Sequence, residues 1–131
     1  MKKYVIPKLI GLAIMTMILL VILSILEVAV YSHLINPNQE LSLYKSHANM
    51  SAPYVSGIFG FIIFFIISRY WTQKKYDNIS NLIFQFPLIF VLIDILVLLL
   101  SGVKWEVFLV TFLIANSAKF IGSYLGYKMT I

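Results

Sequence analysis

Three side chains of the chain could do chemistry where chemistry is costly: Asp94, Asn116 and Lys119 each interrupt a long apolar run. A carboxylate or an ammonium inside hydrocarbon needs a partner, water or a proton. Such residues mark either an ion or proton site or a polar clamp between helices, and a clamp of that kind contributes only about 0.6 to 2 kcal/mol. The function hypotheses divide along this line.

The Asp94 run covers 82–100 and has no other charge. At helical spacing Asp94 is surrounded by Pro87, Phe90, Val91, Val97, Leu98 and Ser101, none of which satisfies a carboxylate, so its partner must come from another segment. With Ser101 at the outer end of the run, Asp94 sits roughly 10 Å below the outer surface. The same depth elsewhere falls at Ser24, Gly60 and Thr111 or Phe112, and these positions are expected to form one layer. Lys119 lies roughly 10 Å deeper, a gap that an extended lysine half spans, and it has the alternative of snorkelling to the inner headgroups. Asn116, one turn nearer, is the expected direct partner of Asp94. Pro87 lacks an amide proton and leaves a carbonyl one turn earlier in need of a donor.

The remaining candidates are weaker. Glu27 falls about a turn above the layer and reads as an interfacial acid in contact with water. Imidazole and carboxylate ligate metals, but His33, Glu40 and His47 match no compact ligand spacing, so no metal site is expected. The sequence has no Gly-x-Ser-x-Gly, no glycine-rich phosphate loop and no His-Glu-x-x-His, and both histidines lie outside the apolar runs. No cysteine is present to supply a thiol. Catalysis and a cofactor are therefore not expected.

The elements that would position these residues follow from composition. Of 131 residues, 61% are hydrophobic and only 11% charged, which excludes a soluble domain. A membrane helix needs about 20 apolar residues, and four such spans are expected, at about 6–31, 53–71, 80–101 and 105–127, with an outer connection at 32–52. Together they make one transmembrane bundle over 1–131. The first run outlasts the core of a signal peptide and lacks a clean cleavage site, so it is expected to remain as a span. Ser51-Ala52-Pro53 reads as the cap and first turn of the second span, and the turn at Ser101-Gly102-Val103-Lys104 makes the third and fourth antiparallel neighbours.

The net charge of +5 reports topology before it reports nucleic acid. Lys2, Lys3, Lys8, Arg69, Lys74, Lys75 and Lys128 fall on the side of the termini, against Lys45 and Lys104 on the other. Aromatic rims agree, with Tyr4, Tyr70, Trp71, Tyr124 and Tyr127 on one side and Tyr31, Tyr54 and Trp105 opposite. The expectation is an all-α, antiparallel four-helix bundle in the cytoplasmic membrane with both termini inside and no nucleic-acid partner.

On the fourth span a small or polar face runs through Ala115, Asn116, Lys119, Gly122, Ser123 and Gly126, and Ala118, Gly122 and Gly126 have the small-xxx-small spacing for close helix approach. Ser56, Gly57 and Gly60 on the second span are its expected counterpart at the outer half, and Gly11 with Ala13 on the first span at the inner half. The leading functional expectation is a non-enzymatic membrane protein that packs with copies of itself or with a larger membrane partner, embedded in lipid. The alternative is an ion- or proton-coupled transporter or channel subunit that uses Asp94.

Overall fold

The computed structural model describes residues 6–76, 78–102 and 104–130, and the side chains of all of these except 107 and 108. Lys2, Lys3 and Tyr4 of the expected basic and aromatic rims and Val103 of the expected turn lie outside the described residues. Four α-helices account for almost all of the rest: α1 Ile6–Val30, α2 Leu41–Gln73, α3 Ile79–Ser101 and α4 Trp105–Lys128. Each contains a stretch long and apolar enough to cross a membrane, which in α4 is Leu109–Lys128. Bulky apolar side chains such as Ile18, Ile25, Ile62, Leu92, Leu96 and Ile114 cover the outside, as a lipid-facing surface requires.

The connection between α1 and α2 is much shorter than the span pattern suggests. α1 continues into a π-helical turn, Tyr31–Ile35, closed by the Asn36 N–H donating to the Tyr31 carbonyl at 2.8 Å. Asn38 then takes a left-handed conformation (φ 63) and Glu40 is extended before α2 begins. Tyr44 ties this link down: its hydroxyl donates to the Asn36 carbonyl at 2.8 Å and accepts the Gln39 N–H at 3.0 Å. Helix α2 thus starts ten residues ahead of the expected Ser51 cap and holds Pro53 in its interior. Its 33 residues extend about 50 Å, against about 30 Å of hydrocarbon. The first turns, with Ser42, Lys45, Ser46 and Asn49, therefore project beyond any bilayer that the remainder crosses.

The helices form a ring in which α2 touches α1 and α4, α3 touches α1 and α4, and the α2–α3 diagonal has little contact. The tightest pair is α2 with α4. A Cβ on Gly122 would collide with the backbone carbonyl of Phe61, and one on Gly126 with that of Phe65, while Gly57 lies 3.6 Å from the Ala115 backbone. Only residues without a side chain allow this approach. Positions 57, 61 and 65 meet 115, 122 and 126, a register that advances in the same direction along both helices. The face expected to pack is thus used inside the chain, against α2 from Gly57 to Arg69. Gly102 closes α3 in a left-handed conformation (φ 71) that favours glycine.

A core fills one end of the ring. Leu9, Ala13 and Leu20 of α1, Phe64 and Trp71 of α2, and Leu82, Phe86 and Phe90 of α3 are buried together. Phe64 stacks on Phe86 at 4.6 Å between centroids, and Trp71 meets Phe86 edge-on at 5.4 Å. Pro87, inside α3, leaves the Ile83 carbonyl without its helical donor, and Ser123 of α4 donates to that carbonyl at 2.7 Å. Ser68 of α2 in turn donates to the Ser123 carbonyl, so a chain of hydroxyl bonds joins α2, α4 and α3.

Candidate functional site

Toward the other end of the ring the packing opens around Asp94. Its carboxylate accepts one N–H of Asn116 at 3.3 Å. The second N–H of the same amide goes to the Phe112 carbonyl at 3.0 Å, which spends both donors. The amide oxygen of Asn116 is buried and has no hydrogen-bond partner. An acceptor in that state costs about 1 to 3 kcal/mol.

Lys119 is 1% exposed, and its ammonium does not reach for either membrane surface. It donates to the Ser56 hydroxyl at 2.8 Å and toward the Ala115 carbonyl at 3.4 Å, and lies 5.0 Å from the centre of the Phe90 ring. A hydroxyl, a carbonyl and a ring face replace the water lost on burial. Gly60 makes room for the stem, because a Cβ there would come within 2.8 Å of the lysine Cε. Among the described residues the one ion pair within 4.0 Å is that of Glu27 and His47, so Asp94 and Lys119 are neighbours without contact.

Two clefts converge on this cluster. One, about 210 Å³, lies between α2, α3 and α4 and is lined by Asn49, Ser56, Asp94, Thr111, Phe112 and Asn116 among others. The second, about 250 Å³, lies between α1, α2 and α3, with Leu20, Ser24, Ser56, Phe90 and Asp94 in its walls. Asp94, Ser56 and Ala52 belong to both, so the carboxylate and the Ser56 hydroxyl form the partition. The clefts exist because α2 and α3 face each other across the diagonal with small residues, Ala52 and Ser56, opposite the acid.

Of the expected layer, Ser24 and Thr111 border the clefts on opposite sides of Asp94, while Gly60 faces the Lys119 stem. Ser56 occupies the place expected for Gly60. Ala118 lines a separate apolar groove between α2 and α4, with Gly57, Phe61 and Ile114.

Glu27 belongs to a second polar group. Its carboxylate lies 2.7 Å from the His47 imidazole and accepts the Ser51 hydroxyl at 2.8 Å, and His47 stacks flat on Tyr31 at 3.6 Å. Glu27 is therefore a tie between α1 and the projecting turns of α2, not a free interfacial acid. Glu40 lies near Ser42 at 3.4 Å, and the described residues contain no group of three histidines or acids able to hold a metal ion. This tie follows from the start of α2 at Leu41 inside the expected connection 32–52, which puts Tyr44, His47 and Ser51 at helical spacing on one face.

Comparison of the chain with protein-family models, curated proteins and solved structures found no match. The four apolar helices define the class, a small multi-pass integral membrane protein.

Proposed function

We propose that this bundle binds, and passes across the cytoplasmic membrane, a small ion or solute at the Asp94 cluster, without catalysing a reaction. The helices alternate in direction with both termini in the cytoplasm. Lys8, Arg69, Lys74, Lys75 and Lys128 at the Trp71 end, against Lys45 and Lys104 at the Asp94 end, support that orientation. The observation that carries the reading is the meeting of two clefts at a carboxylate which the neighbouring ammonium does not touch. A mere clamp would pair the two charges and fill the space around them, as buried charges otherwise require.

The glycine face of α4 is occupied by α2, so assembly with a copy or a larger membrane partner draws on other surfaces. Side chains close the Trp71 end of the ring, and a continuous passage calls for such a partner or for movement of α3 about Pro87.

The test is flux into proteoliposomes loaded with a pH-sensitive dye, under an imposed proton gradient or membrane potential. Asp94→Asn preserves the shape of the site and removes its charge. An Asp94-dependent proton or ion flux, reduced tenfold or more in the variant, is expected; a flux that the variant leaves unchanged overturns the reading.

A further inference from the structure

We infer that the cleft between α2, α3 and α4 binds a small ammonium ion, a protonated primary amine, through the Asp94 carboxylate and the buried oxygen of Asn116. The inference deepens the proposed function and rests on its reading of Asp94 as the working group.

Three observations select this ligand class. The first is hydrogen-bond polarity. Asn116 has committed both N–H groups, one to Asp94 and one to the Phe112 carbonyl, and leaves only an acceptor with no partner at 95% burial. Asp94 accepts one bond from Asn116 and retains further lone pairs. The two groups are joined by their own hydrogen bond, so a donor that binds Asp94 enters beside the Asn116 amide. An ammonium carries three N–H donors and no acceptor, whereas an anion or a carbonyl would meet lone pairs with lone pairs.

The second is charge. Lys119 is turned to Ser56, Ala115 and the Phe90 ring and makes no ion pair with Asp94, so the short-range counter-ion position of the carboxylate is open. A single carboxylate suits a monovalent cation, and the residues lining the cleft include no second acid or histidine to hold a divalent one. The third is size and wall chemistry. A cleft of about 210 Å³ with Leu98, Phe112 and Ala115 in its walls accepts a short alkyl group beside the ammonium, an apolar contact that a bare alkali ion cannot make.

This arrangement makes an opposite demand on two nearby residues. Asp94 attracts the ligand, and Lys119, a like charge behind the Ser56 partition, repels it. Removing Lys119 should therefore tighten binding, an effect that a damaged or misfolded site cannot produce.

The experiment titrates the purified full-length protein in detergent with methylammonium chloride at constant ionic strength, following tryptophan fluorescence. Trp105 meets Phe112 edge-on at 5.4 Å, and Phe112 lines the cleft, so occupancy reaches the reporter. A saturable change with methylammonium is expected, and none with tetramethylammonium, which has no N–H, or with sodium. Asp94→Asn should weaken binding tenfold or more, and Lys119→Met should tighten it roughly tenfold by removing a like charge at reduced dielectric. Circular dichroism of each variant checks that the helices persist. Equal saturation by tetramethylammonium or sodium overturns the inference, as does weaker binding in Lys119→Met. Asp94-dependent flux without methylammonium binding removes the ligand assignment alone; absence of both flux and binding removes the proposed function with it.

Discussion

At the Trp71 end of the ring, Phe64, Trp71, Phe86 and Phe90 fill the space between α1, α2 and α3, and the leftover carbonyl of Ile83 is closed by Ser123. At the Asp94 end the same three helices, joined by α4, border two open clefts and hold an ammonium without an ionic partner and an amide oxygen without any. Both ends contain a polar atom left over by local chemistry. One end satisfies it from a neighbouring helix and the other does not, which separates a closed, packed end from an open one. Buried polar groups that complete their bonds within the chain stiffen it, and those that do not are costly.

If that division is right, thermal unfolding in detergent should depend on substitutions at the Trp71 end and barely on those at the Asp94 end. Phe86→Ala removes the ring that both Phe64 and Trp71 pack against and should cost about 3 kcal/mol or more, read as a lowered midpoint. Gly122→Ala forces a Cβ onto the Phe61 carbonyl and should cost about 2 kcal/mol through separation of α2 and α4. A midpoint unchanged in Gly122→Ala would refute the close approach of these helices.

Ser123→Ala strands the Ile83 carbonyl and should cost about 1 kcal/mol, since hydrogen bonds between membrane helices average less than their burial suggests. His47→Ala removes a partly exposed hydrogen bond to Glu27 and a ring stack at the α1–α2 link, and an effect below about 1 kcal/mol is expected. By contrast Lys119→Met replaces a buried ammonium with an apolar side chain of similar length and should leave the midpoint unchanged or raise it. A large fall in that variant would move Lys119 to the structural side of the comparison.

Composition alone was enough for the four apolar helices, because any segment crossing hydrocarbon must bond its own backbone and clothe it in apolar side chains. Those requirements are local and appear residue by residue, as does the αL turn at Gly102. The small face of α4 was equally legible, since close approach needs small residues whatever the partner. The small residues of the second span also pointed to α2 as its partner, but whether that helix belongs to the same chain was decided by the ring order. Helical rise also placed Asn116 within reach of Asp94, a matter of depth along two axes and nothing more.

Other features depended on rotation about the axes and on where helices begin, and neither leaves a mark in hydropathy. The early start of α2 at Leu41 brings His47 and Ser51 onto Glu27, and its phase puts Ser56, rather than Gly60, opposite Asp94. The direction taken by the Lys119 ammonium followed from Gly60 clearing a channel for its stem and Ser56 waiting at the end. The sequence by itself determined that charge would be buried in an apolar bundle, because solvation is a property of residue type. Only the tertiary structure decided which of those charges are satisfied, because hydrogen bonds between helices depend on their relative phase to within an ångström.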